Sequence, residues 1–164
     1  MNKQEIFSKV DHTKLNAYTT FSEIKVLCEE AIANKMASVC IPPSYVKRVK
    51  EIYGDELTIC TVIGFPMGYN TTEVKVFETQ KAVADGADEV DVVINIGDVK
   101  NGDFEKIENE LKLVKAAANK RIVKVIVETC YLTKEEKIKL CRIVTDAEAD
   151  YIKTSTGFGT SGAK

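Results

Sequence analysis

The chain has 164 residues, of which 45% are hydrophobic and 29% charged, with a formal net charge of −2. That is enough for one domain with a sizeable core and too little positive charge for a binder of nucleic-acid backbones. The nearest basic cluster, Lys47, Arg48 and Lys50, is interrupted by Val49 and followed by Glu51, the pattern of a solvated helix face.

There is no run of about 18 apolar residues and no apolar signal region near the N-terminus, so neither a membrane span nor a leader is expected. The five cysteines, Cys28, Cys40, Cys60, Cys130 and Cys141, form no CxxC pair. With Cys40 and Cys60 in apolar runs, they read as reduced thiols of a cytoplasmic protein. His12 is the single histidine. A zinc site would need scattered cysteines and carboxylates without ligand spacing, so no metal is expected.

In chain order, a first strand is expected near Ile6 to Asp11. A helix follows over Phe21 to Asn34, with Ser22 as its N-cap and Ile24, Leu27, Cys28, Ala31 and Ile32 on one stripe. Val39-Cys40-Ile41 is a strand closed by Pro42-Pro43, and a short helix runs from Ser44 to Tyr53. Thr58 to Ile63 is a strand ending at Gly64-Phe65-Pro66; Thr72 to Asp85 is a helix stopped by Gly86. Glu89 to Asn95 is a strand, and Phe104 to Asn119 a helix with Ile107, Leu111, Val114 and Ala118 aligned. Ile122 to Val127 is a strand, Thr133 to Asp146 a helix opened by the capping-box pattern Thr133-Lys134-Glu135-Glu136, and Asp150 to Thr154 the last strand.

Apolar strands joined by helices predict a parallel α/β sheet in a single domain over residues 1–164. Six strands would complete a doubly wound sheet, whereas a (β/α)8 barrel usually needs about 200 residues or more. A doubly wound nucleotide-binding sheet wants a glycine-rich turn after its first strand, and Asp11-His12-Thr13-Lys14-Leu15 stands there instead. Polar residues recur at or within the C-terminal parts of successive strands: Asp11, Cys40, Asp91, Asn95, Lys124, Glu128 and Lys153. In a barrel these positions converge on one mouth, and this favours the barrel.

Lys153 is the most informative of them. A lysine at the end of a buried strand is desolvated, which favours the neutral, nucleophilic amine that Schiff-base chemistry needs. A plain salt bridge is the alternative. Asp91, set among Val90, Val92 and Val93, is either half of an ion pair or a carboxylate tuned to move protons. Lys124, inside Val123-Lys124-Val125-Ile126, either neutralises Asp91 or binds substrate. His12 is a general base or, on the favoured reading, a histidine satisfied by backbone. Cys40 reads as a packed thiol rather than a nucleophile. Thr154-Ser155-Thr156-Gly157 has the composition of an anion-binding turn, and of many other turns.

Six segments together resemble the deoxyribose-phosphate aldolases, class I aldolases on a (β/α)8 TIM barrel. They are Asp11-His12-Thr13-Lys14-Leu15, Val39 to Pro43, Val62 to Gly68, Gly86 to Gly97, Val123 to Thr129, and Ala149 to Phe158. The DHT, GFPxG and KTSTGF matches are narrow, which disfavours a class I barrel enzyme with another aldehyde donor. The single histidine disfavours a metal aldolase.

The resemblance implies cleavage of 2-deoxyribose 5-phosphate to acetaldehyde and glyceraldehyde 3-phosphate, as in deoxyribonucleotide catabolism, with no metal or organic cofactor. It makes Lys153 the Schiff-base lysine and Asp91 the acid/base carboxylate. It places Asp11, Thr13, Cys40, Lys124, Thr154 and Gly157 around the substrate. It implies small phosphorylated sugar and aldehyde partners, no nucleic acid or membrane partner, and a homo-oligomer.

In the family pattern roughly fifty further residues complete the barrel. They carry a second lysine and the phosphate-binding turns of strands seven and eight. Phe158 to Lys164 resembles the start of the loop leading to the sixth barrel helix. On this reading about six βα units are present, and the chain is a fragment expected to have little activity alone. The alternative function is then a weak or inactive barrel fragment that pairs with another chain through exposed strand edges.

Overall fold

A computed structural model describes residues 2–163. The chain packs as two compact units, one running up to Val62 and including Ala82–Glu89, the other made of Ile63–Lys81 and the residues from Val90 on.

In the first unit, α1 (Lys3–Phe7) leads into β1 (Asp11–Thr13), α2 (Phe21–Ala33), β2 (Ser38–Ile41), α3 (Pro43–Tyr53) and β3 (Ile59–Ile63). The strands lie in the order β1-β2-β3 and pair in parallel, with His12 opposite Val39 and Cys40 opposite Cys60. The expected first strand is displaced. Ile6 lies in α1, whose Asn2 and Glu5 form a capping box, and extended backbone starts at Asp11. Three residues suffice for β1 because its edge continues into the Lys14 N–H bond to the Cys40 carbonyl at 3.0 Å.

The cap of α2 also differs from expectation. Thr20, not Ser22, takes the extended conformation, and Glu23 reaches back to its N–H at 2.8 Å. The pattern Thr20-x-x-Glu23 carries that signal in the sequence. Ile24, Leu27, Cys28 and Ala31 are buried beneath α2, as its spacing requires.

The second unit holds most of α4 (Thr72–Ala84) and β4 (Glu89–Val93). It continues with α5 (Ile96–Asn101), α6 (Phe104–Ala117), β5 (Ile122–Ile126), α7 (Lys134–Asp146) and β6 (Tyr151–Lys153). β5 and β6 are parallel, with Ile126 opposite Lys153. Thr133 and Glu136 form the expected capping box on α7. The short helix α5 and a 3-10 turn at Thr129–Tyr131 were not expected. Asn95 ends the β4 run by capping α5, accepting the Gly97 N–H at 3.0 Å.

The loop after β3 contains a cis Phe65–Pro66 bond. It crosses β4 so closely at Gly68 that a Cβ there would lie 2.0 Å from the Ile94 carbonyl oxygen. Only glycine fits that approach, which explains the Gly in the GFPxG segment.

The core residues of the β5 run, Val123, Val125, Ile126 and Val127, are buried, as are Val90, Val92, Val93 and Ile94 of the β4 run. β6 departs from the buried strand expected for it: Tyr151 is 58% and Ile152 45% exposed. Among the described residues no helix is long and apolar enough to cross a membrane.

Candidate active site

Parallel strands expose their C-terminal ends on one side, where loops carry chemistry. In the second unit that side brings together the three charged residues set in apolar strands. Asp91 is fully buried in the middle of β4. One of its carboxylate oxygens accepts Lys153 Nζ at 2.5 Å, and the other lies 3.2 Å from Lys124 Nζ. Lys124 is 9% exposed and Lys153 33% exposed at the side chain. One carboxylate therefore meets two lysine side chains, carried by two different strands. The contact with Asp91, rather than a buried strand, is what encloses the tip of Lys153.

The loop after β6 bears the remaining predicted residues of this unit. Thr154 is exposed, and its carbonyl accepts the Thr129 N–H at 2.8 Å. Gly157 is exposed with φ 85°, and nothing lies within 4 Å of a Cβ placed on it, so glycine is required there for its backbone and not for space. Phe158 anchors the loop by packing its ring edge-on against Phe65, with centroids 5.4 Å apart. Beside the loop lies a hollow of about 390 Å³ lined by Pro66, Tyr69, Asn95, Glu128, Tyr131 and Phe158 among others.

Asp11, Thr13 and Cys40 lie in the first unit. The Asp11 carboxylate accepts the Ser38 hydroxyl at 2.8 Å, and the Thr13 hydroxyl donates to the Asp11 carbonyl at 3.0 Å. Cys40 is buried, as its strand position predicts. His12 is held by the Glu30 carboxylate at 2.8 Å rather than by backbone, because α2 presents Glu30 to β1.

Three contacts of the second unit escape sequence reasoning, although Glu128 itself stands among the polar residues at the strand ends. Lys75 of α4 is completely buried, donating to Glu110 at 2.6 Å and to the Val93 carbonyl at 2.9 Å. Burial pulls its pKa below the ordinary lysine value, against the opposing charge of Glu110. Glu128, at the end of the β5 run, binds the loop after β6 through Thr156. At Cys130 burial pushes the thiol up, but hydrogen bonds from the Thr160 side chain and the Ser161 and Thr160 backbone outweigh it and leave the thiol below its ordinary value. A lysine on an amphipathic helix carries no local sign of burial, and neither does a carboxylate–loop contact 28 residues long.

Comparison with known proteins places this geometry. Residues 6–164 match the family model for DeoC/LacD family aldolases. A deoxyribose-phosphate aldolase of Clostridium botulinum (strain Alaska E43 / Type E3) is 55% identical over 163 residues, which cover 99% of this chain and 74% of that protein. The chain thus spans about three quarters of the length of the curated relative it matches.

Among solved structures, an aldolase designated QR15 is 37% identical with a TM-score of 0.93, over 98% of this chain and 72% of its own. The deoxyribose phosphate aldolase of Aeropyrum pernix, described as having a unique tetrameric structure, is 29% identical with a TM-score of 0.87, over 97% of this chain and 68% of its own. The six described strands and their helices are therefore an α/β arrangement of the TIM-barrel aldolase type.

Proposed function

The chain belongs to the DeoC/LacD family of aldolases, and on that premise we propose that it is a class I aldolase. Its substrate is 2-deoxy-D-ribose 5-phosphate, cleaved to acetaldehyde and D-glyceraldehyde 3-phosphate through an imine on Lys153. The observation that carries this reading is the single buried carboxylate of Asp91, shared by Lys153 at 2.5 Å and Lys124 at 3.2 Å.

The neutral Lys153 amine adds to the C1 aldehyde of the open-chain sugar, and loss of water gives a protonated imine. The C2–C3 bond then breaks. Its electron pair moves toward the imine nitrogen to form an enamine, while the C3 hydroxyl proton leaves to a base and a new aldehyde forms at C3. Asp91 is that base, acting directly or through one water, and it returns the proton to C2 of the enamine. Hydrolysis releases acetaldehyde and restores the lysine. Lys124 keeps Asp91 charge-balanced while Lys153 is neutral, and it faces the substrate's polar atoms.

Thr154 and Gly157 form the loop beside the substrate. Asp11, Thr13 and Cys40 are assigned to the substrate surroundings on their sequence motifs alone. A cytoplasmic location and a homo-oligomeric assembly belong to the same reading, the latter in line with the tetrameric Aeropyrum relative.

The test is intact mass after incubation with acetaldehyde and borohydride. A reduced two-carbon adduct on the wild-type chain, absent from Lys153→Leu, is expected. Absence of the adduct from folded wild-type protein refutes imine chemistry at this lysine.

A further inference from the structure

The chemistry above uses Asp91, Lys124 and Lys153 and leaves the buried carboxylate of Glu128 without a task. Glu128 is 2% exposed and lies just past β5. Its backbone is left-handed, with φ 51°, a conformation uncommon for a residue other than glycine. That turn stops the strand and directs the carboxylate across to the loop after β6.

There the two carboxylate oxygens accept the Thr156 N–H at 3.3 and 3.2 Å, and one also accepts the Thr156 hydroxyl. The hydroxyl oxygen in turn accepts the Phe158 N–H at 3.0 Å. Backbone bonds run alongside: Val127 N–H to the Lys153 carbonyl at 3.0 Å and Thr129 N–H to the Thr154 carbonyl at 2.8 Å. The fit is close, since a Cβ on Gly159 would stand 3.0 Å from the Glu128 carboxyl carbon.

We propose that Glu128 is a positioning residue: by clasping Thr156 it fixes the segment 154–158 and so holds Lys153 in place against Asp91. The inference rests on the aldolase reading for its catalytic consequence. The physical reason is that, beside the Phe65–Phe158 ring contact and the Thr129–Thr154 backbone bond, the Glu128 carboxylate supplies the polar contacts at the centre of this segment. Thr154, Gly157 and Phe158 are exposed, and Gly157 adds backbone freedom. Lys153 is the residue immediately before it, at the open end of a three-residue strand. A buried carboxylate with charge-assisted bonds is a stiffer tether than the neutral bonds of an exposed turn. An amine displaced by about 1 Å from its reacting geometry loses rate on the order of a hundredfold.

The test combines two readouts on the full chain: hydrogen–deuterium exchange of peptides covering 154–158, and the rate of borohydride-trapped adduct formation at saturating acetaldehyde, per folded molecule. In Glu128→Ala exchange of the segment is expected to rise, and trapping to slow on the order of a hundredfold. Thr156→Val slows trapping too, and Thr156→Ser, which keeps the hydroxyl, restores it. That rescue is a result that general destabilisation does not produce. If Glu128→Ala fails to fold, the Thr156→Val and Thr156→Ser pair decides. Unchanged exchange in the variants overturns the clasp, and so does raised exchange with an unchanged trapping rate. If wild-type protein forms no adduct, the aldolase reading fails, and exchange alone then judges the clasp: a rise supports it and no change overturns it.

Discussion

Two buried lysine–carboxylate groups lie in the second unit, and they differ in a way that separates structure from chemistry. Lys75 and Glu110 make a sealed, balanced pair. Lys75 is fully buried and bonded to Glu110 and the Val93 carbonyl, and Glu110 also accepts the Thr72 hydroxyl at 3.0 Å. Asp91 is shared by two lysines, one of which reaches solvent. The sealed pair is closed to solvent and to any ligand. A shared carboxylate beside a lysine that solvent reaches leaves that amine open to a covalent partner. The same residue types thus build a rivet in one place and a candidate reaction centre in another.

The largest expected effect tests the open group. Lys153→Leu removes borohydride trapping at this site, measured by intact mass, because the amine that meets Asp91 and also reaches solvent is gone. Next, Asp91→Asn slows retro-aldol turnover on the order of 10²- to 10⁴-fold, the usual range for a removed acid/base group, measured by coupled detection of the aldehyde products. A smaller loss, with binding weakened instead, would reduce Asp91 to an ion-pair residue.

The sealed pair responds in stability instead. Lys75→Met strands the Glu110 charge and costs about 3–5 kcal/mol, read from denaturant unfolding. The double change Lys75→Met with Glu110→Leu recovers much of that loss. The trapping rate per folded molecule stays far closer to wild type than in Asp91→Asn; an equal loss of rate would erase the distinction between the two groups.

The smallest effect is at the surface. Glu23 is held down to about 2 from 4.5, first by the Thr20 backbone N–H and then by Lys14. A depressed carboxyl contributes stability that is present above 4.5 and lost as pH falls toward 2. The acid limb of unfolding in Glu23→Gln is therefore shallower than in wild type over that window.

Legibility tracked the range of the interaction. The strands of the second unit and the helices α4, α6 and α7 follow from periodicity and caps, which are local. Thr20-x-x-Glu23 is equally local, and Thr20 rather than the expected Ser22 caps α2. The Ile6 to Asp11 run was misread because Asn2 and Glu5 start a short helix there. Lys153, Asp91 and Lys124 stood out because a charge inside an apolar strand has to be accounted for. Lys75 did not stand out, and Glu128 stood out as a strand-end carboxylate but not for its hold on Thr156, since both contacts depend on elements far along the chain.

By itself the sequence determined the order of strands and helices, the family, and which charges sit where solvent is scarce. It could do so because backbone propensity and the cost of burying charge are set residue by residue. Only the tertiary structure decided which charges meet. It gave Asp91 two lysines, sealed Lys75 against Glu110, tied His12 to Glu30, and turned Glu128 back onto Thr156. Those pairings depend on distances between strands and loops that no spacing along the chain encodes.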